Sequence, residues 1–361
     1  MDHHDPAAQG PACSAGLAHR VRAHCPVGKG PEAVVVDAPR RRAFVACSRS
    51  DAVVALDLDA ARPVWQAAVG REPIPLVLDR PTGRLFSADA RSDTVTVLDS
   101  ATGARLAQVP VGCYPAGLGH HPGLRRVFSG NTADGTITAV DADRLEVVGT
   151  VPAELGAGSI AVDTGRDRGW CANFMTGSVT SFDAATLRPL GRTAVREGPC
   201  KAVVDPGRGD LYVASSLHGT VSRICLDTGD LLGELPVERA PVGMCVDEGR
   251  GLLYVCNRGA GTVSVLDTAT GRETHRIVVG NAPGDCALDP VSDTLLVSNA
   301  GSGTVTFVHR PWLPGPPPPS SHPLVGRRLP GFALPDLREG RIRTSREWAE
   351  KKYVINFFAS W

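Results

Sequence analysis

Carboxylates recur through this chain at one interval. Six of seven positions spaced 42 residues apart are aspartates: Asp37, Asp79, Asp163, Asp205, Asp247 and Asp289, with His121 in the remaining slot. A second comb of the same spacing holds Asp57, Asp99, Asp141, Asp183 and Asp267, with Cys225 and His309 in its other two slots. Six carboxylates on a ring could hold a hard cation, the chemistry this pattern suggests first. The ten cysteines are the second candidate group, yet they show neither Cys-x-x-Cys nor any metal-ligand spacing. Cys47, Cys171 and Cys256 fall on one type of apolar run, and Cys200, Cys245 and Cys286 lie near another, as small buried hydrophobes do. Cys245 and Cys286 stand one slot apart in adjacent copies, where a disulfide is open geometrically but not expected. His120 and His121 are consecutive on a strand, so they face opposite ways and make a poor metal pair. No Ser/His/Asp arrangement or phosphate-cradling glycine loop is recognisable. The expectation for the repeats is no catalytic residue, no metal and no cofactor.

Seven copies without an insertion or deletion mean that one structural unit was duplicated. The clearest copy contains the apolar runs Gly243–Val246, Leu252–Cys256 and Thr262–Leu266, and a fourth, Glu273–Val279, completes it. Runs of this length between Gly, Asp and Asn are strands, so each copy is a small antiparallel sheet. One such sheet cannot bury both faces, and the copies must stack. Period, strand count and copy number favour a seven-bladed β-propeller over a β-solenoid, whose repeats are usually shorter. The aspartates then sit at turns, where a short carboxylate accepts hydrogen bonds from the backbone two residues on; that turn role is preferred to a cation ring. The seventh copy enters proline after Gly303–His309 and lacks a fourth strand. His19–Gly28, ahead of the first copy, falls in register with Gly271–Gly280, so it is expected to complete the last blade.

Composition narrows the function classes. Basic and acidic residues number 38 each, so no global field draws the chain to nucleic acid or to a membrane surface, and aromatics at 5% give little base-stacking surface. No stretch has the length of a membrane-spanning helix. Residues 1–30 lack the apolar core of an export signal. The expected domains are a disordered tail at 1–15, the propeller at 16–310, a stiff proline-rich linker at 311–323 and a different segment at 324–361.

Two resemblances follow. Tyr254-Val-Cys-Asn257, Gly261-Thr-Val263, Asp267-Thr-Ala-Thr-Gly271 and Val279-Gly-Asn-Ala-Pro283 resemble the repeat of the YVTN family of β-propellers, across roughly residues 19–310. The fourth copy departs from the pattern, with Ala157 in place of proline. Residues 324–361 resemble the start of a redoxin (TlpA-like or AhpC/TSA) thioredoxin-fold domain through Val325-Gly326, Pro330-x-Phe332-x-Leu334, Asp336-Leu337, Gly340 and Asn356-Phe-Phe-Ala-Ser-Trp361. The segment reads as a strand at Phe332–Leu334, a turn at Glu339-Gly340, a helix near Ser345–Lys351 and a strand at Tyr353–Phe358, an incomplete α/β unit. In that family a Cys-x-x-Cys motif at a helix start follows the last of these strands, and the first thiol attacks as a thiolate. Here the redox cysteine would follow Trp361, and residues 324–361 contain no thiol. The chain is therefore expected to be a truncated record and, as written, to reduce neither insulin nor peroxide. Both families are usually exported, whereas the residues from Met1 imply a cytoplasmic protein, and the compartment is left open.

The loops before first strands and between second and third strands share one rim, which carries most ligand contacts in the resembled family. Candidate binding residues there are Lys29, Arg49, Arg71, Arg91, Asn131, Asn173, His218, Arg239 and Arg258, with Asn257 and Asn299 in equivalent slots. They would form a partly cationic funnel for a protein or a small anionic ligand. Asparagines also fit turns by their own hydrogen bonding. Three functions remain: a propeller docking module fused to a thiol-disulfide oxidoreductase or peroxiredoxin-like domain, a non-enzymatic interaction scaffold with a remnant tail, or a lactonase-like propeller hydrolase.

Overall fold

The structure, a computed structural model, describes residues 19–310 and two short strands, Ala333–Pro335 and Ile342–Thr344. The chain divides into two units, Met1–Trp312 and Leu313–Trp361. In the second unit, Ala333–Pro335 pairs antiparallel with Ile342–Thr344, and the turn expected at 339–340 lies outside the described residues. The tail at 1–15, the linker at 311–323, the helix near 345–351 and the strand at 353–358 lie outside the described residues.

The first unit contains seven four-stranded antiparallel sheets. Blade 1 comprises Pro31–Asp37, Arg42–Cys47, Ala52–Asp57 and Arg62–Ala68. The next five blades begin at Pro73, Pro115, Ala157, Pro199 and Pro241. First strands of successive blades touch each other round the ring and wall a central channel, whereas fourth strands such as Arg62–Ala68 are largely exposed. Each blade is buried on both faces, so its second and third strands are near-continuous apolar runs, as over Leu252–Cys256, with a neighbour on either side.

Seven apolar clusters fill the seven gaps between blades. The gap that closes the ring is packed like the rest: Leu296, Val305 and Phe307 of blade 7 meet Val34, Val45 and Leu56 of blade 1. Blade 7 takes its fourth strand from the start of the chain. Arg20–Pro26 pairs antiparallel with Thr304–His309, and the sheet order runs outward from Pro283–Asp289 to that strand. Its buried residues, Cys25 and the following Val27, belong to the closing cluster.

A third repeated position stitches each blade internally. The last residue of the second strand is Asp89, Asn131, Asn173, Asn257 or Asn299 in five blades, and all five are fully buried. Each asparagine amide donates to hydroxyls five and seven residues on, for example Asn131 to Thr136 at 3.0 Å and Thr138 at 2.8 Å. Asn299 also accepts the Gly280 amide at 3.1 Å while donating to Thr306 at 2.8 Å. Asp89 makes the same contacts with a carboxylate, accepting from Thr96 at 2.5 Å. Burial outweighs its hydrogen bonds from Thr96, Ser87, the Gly70 amide and Thr94, and pushes its carboxyl above the ordinary value of 3.8. A carboxyl raised on folding favours the native state below that ordinary value, and the benefit is lost as pH rises through the raised one. Asp89→Asn should therefore stabilise at pH 7 by about 1 kcal/mol, raising the melting temperature by about 3 °C. Thermal melts across pH check this: the gain should vanish towards pH 4, and a loss at pH 7 would contradict it.

Candidate functional site

The first aspartate comb does not form an open carboxylate ring. Asp37, Asp79, Asp163, Asp205 and Asp289 are buried at turns, where Asp163 accepts the Gly165 amide at 2.9 Å and Asp289 that of Val291 at 3.1 Å. Several also reach the next blade. Arg125 of blade 3 meets Asp79 of blade 2 at 2.8 Å, and Arg41 of blade 1 meets Asp289 of blade 7 at 2.7 Å. Burial alone would push these two carboxyls up; hydrogen bonds from Arg125 and Thr82, and from Ser292 and Arg41, more than offset it and hold both below the ordinary value. The exceptional His121 follows the same geometry with reversed polarity. Its Nδ1 accepts the Leu124 amide at 3.1 Å, so Nε2 carries the proton towards Asp167 at 2.9 Å. Asp167 occupies the slot of Arg41 and Arg125, so base and acid have exchanged places. Among the described residues no group of three or more His, Cys, Asp or Glu side chains is arranged to hold a metal ion.

The loops named from sequence do share a rim, where Ser48 N donates to Gly30 O at 2.8 Å and Arg258 N to Ala240 O at 2.8 Å. Lys29, Arg49, Arg71, Arg91, His218 and Arg239 are exposed there. Arg91 pairs with Glu72, and the Arg71 guanidinium donates to Arg91 O at 3.0 Å. His218 and Arg239 line one depression. Asn131 and Asn173 instead spend their amide hydrogens inside their blades. Of the nine, Arg258 alone lines the channel cavity.

That cavity, about 740 Å³, is walled by first strands from every blade. Blades 2 to 4 contribute mostly small or apolar groups, among them Ile74, Pro75, Ala116, Gly117 and Ile160, with Glu72 as their one charged residue. Blades 5, 6, 7 and 1 contribute Lys201, Cys200, Arg258, Cys245, Asp285 and Glu32. Two ion pairs bridge blades that are not neighbours. Lys201 Nζ of blade 5 lies 2.7 Å from Asp285 Oδ2 of blade 7, and Arg258 of blade 6 pairs with Glu32 of blade 1. In the blade between, the Lys201 slot is Gly243 and the Glu32 slot is Gly284. A Cβ on Gly243 would fall 2.3 Å from Gly284 O and 2.9 Å from Asp285 Oδ1, so only glycine lets Asp285 stand where Lys201 meets it. Asp285 Oδ1 and Arg258 Nε are buried without a hydrogen-bond partner, unspent polar capacity of the kind a ligand satisfies. Burial outweighs Lys201 and lifts the Asp285 carboxyl to about 6. Burial also presses on the Lys201 ammonium, but Asp285 more than compensates and its pKa is raised.

Sequence reasoning passed over Lys201 and Asp285. The signal was present: each is a charge inside a first-strand run (PCKAVVD and PGDCALD) whose other copies hold alanine, proline, glycine or serine.

No family model matches the chain, and no curated protein matches it. Among solved structures, a chain titled Kuenenia stuttgartiensis Hydrazine Synthase is similar, with a TM-score of 0.72 and 18% identity over 85% of this chain and 99% of that one. As many as 1656 solved chains match, a breadth that makes the likeness one of architecture. With the seven sheets described above, it establishes the chain's main unit as a seven-bladed β-propeller.

Proposed function

We propose that the propeller is a binding module that takes a small anionic ligand, or a carboxylate carried by a protein segment, in its channel. Lys201 and Arg258 are the cationic contacts, and the apolar wall of blades 2 to 4 receives the ligand's carbon skeleton. The observation that carries this reading is the buried, unpartnered Arg258 Nε, which lines with Lys201 one cavity of ligand size. The module serves the redoxin-like segment that follows it, a reading supported by Asn356-Phe-Phe-Ala-Ser-Trp361 and by the antiparallel pairing of Ala333–Pro335 with Ile342–Thr344. Together these support a function in thiol-disulfide or peroxide chemistry, with the propeller for docking.

Thermal shifts with acetate, succinate, phosphate and sulfate test the binding half. At a hundred times its dissociation constant the preferred anion should stabilise the protein by about 2.7 kcal/mol. Lys201→Met should abolish that shift while leaving the protein folded, because the methionine stem fills the same space. No shift with any of the four anions, or an equal shift in the variant, would refute the assignment.

A further inference from the structure

Three thiols gather at the channel wall. Cys245 and Cys286, on the first strands of blades 6 and 7, have sulfurs 3.1 Å apart. Cys256, on the adjoining second strand, is fully buried in the same apolar cluster as Cys286. Cys245 lines the channel cavity, whereas Cys286 lies behind it with an exposure of 4%. Lys201, a cation a quarter exposed, stands beside them through Asp285, the residue preceding Cys286. An S–S bond is about 2.05 Å long, so the two sulfurs need to close by only about 1 Å.

We propose that Cys245 and Cys286 form a two-electron dithiol/disulfide site that reacts with hydrogen peroxide entering through the channel. The Cys245 sulfur, on the cavity wall, attacks one peroxide oxygen and breaks the O–O bond. Its proton joins the departing hydroxide, giving water and a sulfenic acid on Cys245. The Cys286 thiolate then attacks that sulfur and expels hydroxide, which takes a proton from the solvent and leaves as a second water. One thiol, one thiolate, one solvent proton and one peroxide thus become one disulfide and two waters. Two equivalents of a small monothiol reverse the step through a mixed disulfide and leave as their own disulfide. Lys201 is a positioning residue: its charge favours the thiolate form of the pair. Burial raises Cys245, whereas for the coupled Cys286 the Cys245 and Cys256 hydrogen bonds and Lys201 outweigh burial and lower it, so the Cys286 thiolate takes the Cys245 proton as that sulfur attacks and passes it to the departing hydroxide. This departs from the expectation that the cysteines are inert packing, and it holds whether or not the channel also binds an anion.

The test uses the full chain. It is treated with hydrogen peroxide, quenched in acid, alkylated under denaturing conditions and digested with trypsin. Cleavage after Arg250 separates Cys245 from Cys256, so the peptide joined to Cys286 identifies its partner. A Cys245–Cys286 link that dithiothreitol reverses is expected. Recovery of both residues as alkylated thiols, or a link from Cys286 to Cys256, would overturn the proposal. Lys201→Met should slow formation of the link by about tenfold at neutral pH and shift its pH profile upward, while Lys201→Arg restores the rate. Equal rates and profiles in all three proteins would remove Lys201 from the site.

Discussion

A protein lacking residues 16–28 should melt about 10 °C below the full chain. The deletion removes Arg20–Pro26, the fourth strand of blade 7, together with Cys25 and Val27 from the cluster that joins blade 7 to blade 1. Losing two buried apolar side chains costs about 4 kcal/mol before the ladder to Thr304–His309 is counted. The exposed strand would then offer unpaired backbone along its whole edge, so concentration-dependent association should accompany the lower melting temperature. Removing residues 1–15 alone is the control and should change neither property. A synthetic peptide of residues 16–28, added in trans, should recover part of the loss by pairing with the vacated edge. An unchanged melting temperature in the deleted protein would contradict this account of ring closure.

Arg310→Met should lower stability by about 3 kcal/mol, at the low end of what breaking a buried ion pair costs. In the other six blades the residue after the third strand is Leu58, Ser100, Ala142, Ala184, Leu226 or Thr268. In blade 7 it is an arginine with 3% exposure, set between blades 6 and 7. Its guanidinium lies 2.5 Å from Asp247, 3.1 Å from Asp293 and 5.5 Å from the centre of the Tyr254 ring. Asp293 stands where Arg41 and Arg125 stand in other blades, so here two acids face one another and Arg310 supplies the missing cation. Without it, Asp247 and Asp293 share Arg250 alone, which meets Asp293 at 2.7 Å and Asp247 at 3.9 Å. Arg310→Met with Asp293→Asn should recover part of the loss, since the uncompensated carboxylate is gone. Denaturant titration of the two variants measures both steps. A cost below about 1 kcal/mol would show that the cluster behaves like a surface ion pair.

What the copies share was legible in the sequence. The period alone yields the strands and the seven blades, and the orphan run His19–Gly28 was assigned to the last blade because it kept the register. The aspartates were read as turn residues, and their Oδ1 contacts with backbone amides two and three residues on agree with that reading. Their second role was not legible, because Arg41 meets Asp289 across 248 residues and only the closed ring brings them together. His121 looked like a lost aspartate, whereas Asp167, in the arginine slot of the next blade, shows an exchange of partners. Loop position marks exposed side chains on the rim, as at Lys29, Arg49 and Arg71. Asn131 and Asn173 are the departures: an amide at a strand end has donors to spend inside the blade. The channel chemistry lies where copies differ. Lys201 and Asp285 are two periods apart and meet only because glycine stands between them, a relation that periodicity does not expose.

In the proposed site the channel captures an anion on Lys201, in competition with Asp285. Below about pH 6 Asp285 takes a proton and releases the ammonium, and above that value it holds it. Affinity should therefore be highest at low pH and fall by up to about tenfold per pH unit above the Asp285 transition. Isothermal titration of the preferred small anion at pH 5.5 and pH 7.5 measures this directly. The account predicts one site per chain with tighter binding and less proton uptake at the lower pH. Equal affinity at both pH values, or binding that survives Lys201→Met, would contradict it.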